Sequence, residues 1–507
     1  MMGQKTAQPK LYISFSLDAA VPLDHILRKI AACIDFSFVH GLTRRYYSHT
    51  GKPSVDPVVL FKLSLLGYLF NITSERRLCQ EAALNLGWRW FLGYELDEPI
   101  PDHSVLSKAR RRFGPMVYER FFRRVVELCE VRGLVEGDVL FLDATLIEAN
   151  ASKQTLRSRA LIKQRLRRPK HFVAELWAVN PDPEQTESAS PTAKPRPDRG
   201  VRNQLSVSPT DPDAEIVARR GKPATLAHKV QLTVDGGKAR IITAIETRPG
   251  SEHDSQVVGR MLDRHGGAVR RPVRELVADS GYASEAAYLD CVARGVTPTL
   301  AWRALNNRHG GFDRDRFTYL AERDVFICPA GHEMRHSSEN LRFRQSVYRT
   351  VKGTCHRCPL KAQCSPGRAE RSVTRRWEAG LWERVELHLQ TRHARRQLRR
   401  RRTIVEPIIA DGKDKHGLRR AQFRGRGNMH IQAVLTASVL NIKQLVRWGP
   451  VPQSGAAAIT APRSLLSPLL EVWRRFLGVF SGLHILSLDR SGRLSAKTAL
   501  RPASGLP

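Results

Sequence analysis

Four apolar residues that end on an acid limit most tightly what this chain can become. In Gly137-Asp138-Val139-Leu140-Phe141-Leu142-Asp143-Ala144-Thr145, residues 139–142 run together without polar alternation. That is the pattern of a short strand covered on both faces. The run stops at Asp143. An ionised carboxylate beside a hydrophobic core is costly unless a cation compensates it, and a divalent metal is the usual compensation. A single strand-end aspartate is most simply an exposed terminus. The chain repeats the arrangement, however: Glu275-Leu276-Val277-Ala278-Asp279-Ser280-Gly281-Tyr282 is a second apolar strand ending on an acid, followed by a helical stretch from Glu285 to Leu289.

The surrounding pattern predicts a mixed α/β sheet. His228 to Val234 and Ala239 to Ile245 read as strands joined by the turn signal Asp235-Gly236-Gly237. Residues 254–264 look helical, and Val296 to Leu300 is a fifth candidate strand. A hairpin followed by strands alternating with helices gives a sheet with an antiparallel edge. Between the first strand and the hairpin, residues 152–222 begin basic and pass through a Pro/Ser/Thr/Asp-rich stretch, which reads as a long, partly disordered insertion or flap.

Residues 1–136 read as all-helical. Asp56-Pro57 is a helix start with an acidic N-cap and proline at the first position, leading into the apolar run Val58 to Leu69. Ser74 opens another helix, and Asp102 caps one carrying Ser107, Lys108, Arg110, Arg111 and Arg112 before Gly114-Pro115 breaks it. Two short helices and then a basic one are compatible with helix-turn-helix DNA binding; the plainer reading of such a face is a solvated surface.

Charge narrows the partner. The 507 residues hold 83 Lys and Arg against 49 Asp and Glu, a formal charge of +34. A field of that sign suits a polyanion, most commonly a phosphate backbone. No stretch of 18 apolar residues exists, and the N-terminus lacks the apolar core of a signal peptide, so a soluble, intracellular protein without a membrane partner is expected.

Eight cysteines are unevenly spread. Cys33, Cys79, Cys129 and Cys291 are isolated in apolar contexts and read as reduced core thiols. Cys328, Cys355, Cys358 and Cys364 cluster, and the C-x2-C spacing favours a structural tetrahedral zinc site over disulfides in an intracellular chain. His332 or His356 could replace one thiolate. From about residue 380 the chain is helical and basic, with seven arginines between 392 and 402 that would repel unless phosphates neutralise them. A lone acid, Glu406, follows; then come Lys413, Lys415, Arg419, Arg420, Arg424 and Arg426, and a final apolar helix over roughly 429–447.

Three isolated acids therefore stand out: Asp143, Asp279 and Glu406. Acids converging at one sheet edge hold two divalent ions about 3.5–4 Å apart, which clamp the attacking and leaving oxygens of an in-line phosphoryl displacement. Mg²⁺ (or Mn²⁺) suits such an all-oxygen, partly open site. Salt bridges in a basic protein would account for any one of these acids, but poorly for all three.

These residues also carry a resemblance. Asp56 to Leu63, Asp143-Ala144-Thr145, Thr210-Asp211-Pro212-Asp213-Ala214, His253-Asp254-Ser255, Ala278 to Tyr282, the four cysteines, and Val405-Glu406-Pro407 with Gly417-Leu418-Arg419-Arg420 occur in the order and spacing of a known family. The chain resembles the DDE transposases of bacterial insertion sequences, the group with a helical N-terminal domain and a cysteine-bearing insertion, over roughly residues 20–447. The resemblance implies a ribonuclease-H-like α/β catalytic fold, with Asp143, Asp279 and Glu406 as first, second and third acid. It implies recognition of terminal inverted repeats, strand cleavage by water and joining by a DNA 3′-hydroxyl, with no covalent enzyme intermediate.

The organisation expected is a helical DNA-binding domain (1–136), a catalytic domain (137–301, with 152–222 as a flexible basic insertion), a cysteine-rich, zinc-binding insertion (302–375), basic catalytic helices (376–448) and a tail of no assigned role (449–507). Double-stranded DNA, both element ends and target, is the expected partner. Lys108, Arg110, Arg111 and Arg112, together with Arg399 to Arg402, Lys413, Arg419 and Arg420, are its expected contacts. A homodimer on DNA and a nucleoid-associated cytoplasmic location in a bacterium complete the expectation. A metal-dependent nuclease of the same fold and an inactive DNA-binding regulator are the alternatives.

Overall fold

The computed structural model describes residues 14–51, 53–159, 203–218, 221, 223–302, 311–341, 344–366, 370–377 and 379–449. Most of the flap expected over 152–222, and the tail from 450, lie outside the described residues.

The acid-ended run is the middle of a longer strand, β1 (Val139–Glu148). Two minor strands, β2 (Arg157–Ser158) and β3 (Ser206–Val207), pair with each other beyond it. The main sheet adds β4 (Glu215–Val217), β5 (Thr225–Asp235), β6 (Ile242–Pro249), β7 (Glu275–Ala278) and β8 (Thr297–Leu300). Its path runs β4-β5-β1-β7-β8, with β6 also paired to β5. Strands β5 and β6 run antiparallel to their neighbours, and β1, β7 and β8 run parallel. This is the ribonuclease-H-like arrangement that the resemblance implies. The turn into β1 is set by Gly137 at φ +80°, where a Cβ would stand 2.8 Å from that of Arg271. Asp235 closes the β5–β6 turn by accepting from the amides of Glu136, Gly137 and Gly237.

Both faces of the sheet are covered, as the unbroken apolar run of β1 requires. Leu140, Leu142, Leu276 and Ala278 pack with the helices Val258–Gly266 and Glu285–Ala293 and with Leu381 and Trp382 of the helix Ala379–Gln390. Phe141, Ile147, Val230, Leu232 and Val277 face the opposite way, into a core shared with the N-terminal helices.

That shared core alters the expected domain division. The helices Ile26–Cys33, Pro57–Leu69 and Ser104–Val131 pack on the C-terminal helix Arg426–Trp448, which is buried on nearly every side and touches β6 as well. A helix apolar all round has to be enclosed, and here the N-terminal helices enclose it from one side and the sheet from the other. Residues 14–136 therefore share one core with the sheet instead of standing apart from it. The break expected at Gly114-Pro115 is present: Gly114, at φ +65° and ψ 174°, leaves helical geometry and divides Ser104–Val131 into two helical segments that meet at a kink. Eleven residues separate the helices Leu86–Leu92 and Ser104–Val131, more than the 3–4-residue turn of a helix-turn-helix.

The cysteine-rich segment carries a sheet of its own. Strands β9 (Thr318–Leu320), β10 (Val325–Ile327), β11 (Glu333–Asn340), β12 (Gln345–Arg349) and β13 (Ser372–Arg376) form an antiparallel meander around Phe317, Phe326, Met334, Tyr348 and Val373.

Candidate active site

Strand pairing brings the first two acids together. β1 pairs with β7 through Val139↔Glu275, Leu140↔Leu276 and Phe141↔Val277. Beyond the last paired residues β7 ends at Ala278, and the turn that follows carries Asp279 close enough for its charge to act on the Asp143 carboxyl. The helix Arg392–Lys415 crosses the sheet against β1, β7 and β8.

Asp143 is little exposed and both its oxygens are engaged. Oδ2 accepts from the Arg401 guanidinium and Oδ1 from the Ala144 amide at 2.8 Å. Burial raises the Asp143 carboxyl above its ordinary range; Arg401 and the Ala144 amide oppose this, Asp279 adds to it, and the net shift is upward. Asp279 sits in the turn after β7, where its Oδ1 accepts from the Gly281 amide at 2.8 Å.

A fourth acid stands beside them. A Cβ on Gly281 would lie 3.0 Å from Asp279 Oδ1 and 3.5 Å from Asp254 Oδ2, so glycine keeps that space open between two carboxylates. Asp254 accepts from Gln231 Nε2 at 2.7 Å and pairs with Lys229 at 3.0 Å, while the Tyr282 hydroxyl donates to Gln231 Oε1. The Tyr282 phenol is held protonated by burial first and then by the charges of Asp254, Asp143 and Asp279. His253-Asp254-Ser255 is noticeable in the sequence as a motif, but nothing local assigns it to this place. The alternation of Lys229 and Gln231 with apolar residues on β5 is the only signal for those two.

Glu406 is not drawn into this group. The helix Arg392–Lys415 runs on through Pro407, and Glu406 is exposed on it, five residues beyond Arg401. At 3.6 residues per turn that is about 140° around the axis. Among the described residues, no group of three or more His, Cys, Asp and Glu is arranged to hold a metal ion. The donor chemistry around Asp143 and Asp279 nevertheless fits a hard divalent cation: oxygen ligands, crowded negative charge, and a guanidinium already compensating one carboxylate.

The expected DNA contacts divide into exposed and committed side chains. Lys108, Arg111 and Arg112 are exposed, with Arg112 over the Tyr47 ring at 5.0 Å. Arg110 turns inward instead: it is only 13% exposed, pairs with Glu75 and stacks over Phe423 at 3.8 Å. On the arginine helix, Arg399 and Arg402 are exposed. Arg400 is held by Gln397 and the Gly236 carbonyl, and Arg401 by Asp143. Arg392, Arg395, Arg396, Arg399, Arg400 and Thr403 line an open groove of about 710 Å³. Lys413 donates to the Leu146 carbonyl at 3.4 Å, Arg419 pairs with Asp414, and Arg420 is exposed.

Cys328, Cys355, Cys358 and Cys364 all line one small cavity with His332, whereas His356 is exposed away from it. Burial raises the Cys364 thiol, and the other three cysteines add to the rise against Arg371. Four thiols are the donor type that suits zinc, although among the described residues they are not drawn into a metal-holding group.

Two family models match the chain. One is described as "Transposase domain (DUF772)" and covers residues 15–112; the other is described as "Transposase DDE domain" and covers residues 327–446. The second spans the four cysteines and Glu406; Asp143 and Asp279 lie between the two matched stretches. No curated protein matches. Among solved structures, the chain is similar to a piggyBac transposase in a synaptic complex with hairpin DNA, at 8% identity and a TM-score of 0.30, over 92% of this chain and 85% of that one. It is also similar to the Mos1 transposase in a paired-end complex with the left transposon end, at 11% identity and a TM-score of 0.15, over 50% of this chain and 61% of that one. At such scores the family models, not these structures, carry the assignment.

Proposed function

We propose that this chain, which belongs to the DDE transposases of insertion sequences, performs its DNA cleavage and strand transfer where Asp143, midway along β1, meets Asp279, just past the end of β7. The β1–β7 pairing that brings these two carboxylates together under a basic helix is the observation that carries this reading. Asp143 and Asp279 would hold the metal, with Glu406 as the third acid brought in from the arginine helix. Magnesium held there supplies Lewis acidity to the attacking and leaving oxygens of an in-line displacement.

The chain's own groups do the rest. Arg399 presents charge in the groove and Arg402 on the exposed helix face beside it, and both hold the phosphate backbone. Lys108, Arg111 and Arg112 lie on a separate exposed face that suits the reading of element ends. Joining two ends calls for two active sites, and a two-fold homodimer assembled on DNA provides them. The cysteine cavity would take one structural zinc, which ties the meander to its loops.

Strand transfer separates a transposase from a nuclease of the same fold. Purified protein, an element-end duplex and a target plasmid in Mg²⁺ should give joined products as well as cut ends; cut ends alone would favour the nuclease. For zinc, elemental analysis should find about one atom per chain, lost together with thermal stability when Cys355 and Cys358 are replaced by serine. A zinc-free protein of unaltered stability would end that assignment.

A further inference from the structure

We propose that Arg401 is a positioning residue that couples DNA binding to metal loading: it neutralises Asp143 until a DNA phosphate replaces that carboxylate as its partner. The inference rests on Asp143 being a metal ligand, as argued above.

The two acids are not equivalent. Asp143 Oδ2 is taken by Arg401 and Oδ1 by the Ala144 amide, whereas Asp279 accepts from its own turn at Gly281. Arg401 and Asp143 are 258 residues apart in sequence, and their side chains are only 14% and 15% exposed. A charge-assisted bond between such groups is strong, and neither group tolerates losing its partner without a replacement. A cation that takes Asp143 must therefore displace Arg401 and leave a guanidinium without a counter-ion.

The replacement is close at hand. Arg399 and Arg402, on either side of Arg401 along the same helix, are exposed and face solvent. Arg402 lies about 100° around the axis from Arg401, so a phosphate chain held by it passes beside the face from which Arg401 departs, whereas Arg399 lies about 160° away. A guanidinium binds a phosphate diester through two parallel N–H···O bonds, as it binds a carboxylate. Phosphate for Arg401 and metal for Asp143 is thus an exchange of partners in which no charge is left alone. Because linkage is reciprocal, DNA should raise metal affinity by the same factor by which metal raises DNA affinity. The plainer reading, a fixed ion pair that only stabilises the fold, makes the opposite prediction about metal binding without DNA.

The test is a Mn²⁺ titration of the full chain in the absence of nucleic acid, with free ion counted by its electron paramagnetic resonance signal. Arg401→Gln should bind Mn²⁺ on the order of tenfold tighter than the unaltered protein, because the competing cation is gone. Arg401→Lys, which keeps the charge, should stay near the unaltered value. Its circular dichroism checks that the pocket is intact should the glutamine variant fold poorly. Equal or weaker Mn²⁺ binding by a folded Arg401→Gln protein would overturn the proposal, as would tighter binding by Arg401→Lys of the same size. Asp143→Asn placed in the Arg401→Gln protein serves as the control: if the double variant binds Mn²⁺ as tightly as Arg401→Gln alone, Asp143 is no ligand, and the reading of the active site fails instead.

Discussion

At the scale of single residues, this structure separates charges that meet solvent from charges already neutralised inside the fold. Arg110, Arg111 and Arg112 are indistinguishable in the sequence, yet Arg110 is sandwiched between Glu75 and Phe423 while its neighbours are exposed. Arg110→Ala should therefore cost stability, about 3 kcal/mol for removing one partner of a mostly buried pair. It should leave the salt dependence of DNA affinity unaltered. Arg111→Gln should do the reverse, lowering the salt slope by about 0.9 with little effect on folding. Denaturant unfolding and binding across a salt series measure both. A flatter salt slope in Arg110→Ala would mean that this guanidinium reaches phosphate after all. The same limit on sequence reasoning applies to Asp143: its apolar run announces a buried strand with an acid at its end, but only the folded chain shows which of seven nearby arginines answers it.

At the scale of elements, the parts most readable from sequence are those with strong local patterns. The strand ending at Asp279, the hairpin turned by Asp235-Gly236-Gly237, and the helix begun by Asp56-Pro57 all depend on short apolar runs and turn chemistry. The meander β9–β13 left no such trace, because β11 is almost wholly exposed and its short partners bury few residues apiece. Glu406 illustrates the other failure: its element is evident, but its direction from the helix is a matter of phase and packing. The arginine helix also concentrates the electrostatics of binding. Replacing Arg399 and Arg402 together with glutamine should weaken element-end and random duplexes alike and lower the salt slope by about 1.8, two contacts at about 0.9 each. Should the double variant lose affinity only for element ends, at an unchanged slope, this helix reads sequence, and the division of labour with Lys108 to Arg112 is wrong.

At the scale of the whole molecule, composition pointed to a polyanionic partner, and the fold shows how a chain of +34 stays compact. Its buried charges are gathered into small compensated groups. Glu119 is one: it meets Arg123, Arg264 and His430, which joins the kinked helix to the helices Val258–Gly266 and Arg426–Trp448. Burial works against ionisation of its carboxyl, but His430 and the two arginines outweigh it and hold the group down at about 2. The helix Arg426–Trp448 is what makes one body of two regions that composition alone would divide. Its apolar content was evident in the sequence, but its place between the N-terminal helices and the sheet depends on contacts across several hundred residues.

The central claim is that Asp143 and Asp279 are the metal-binding acids of DNA cleavage, and Asp143→Asn tests it most directly. The substitution keeps the shape of the side chain and removes the charge without touching any exposed arginine. The purified variant should bind element-end DNA at least as tightly as the unaltered chain, because Arg401 loses its carboxylate partner and is left free for phosphate, while cleavage and joining in Mg²⁺ fall by at least about a thousandfold. Cleavage of end-containing DNA by a folded Asp143→Asn protein at a rate near that of the unaltered chain would contradict the account and move the active site elsewhere.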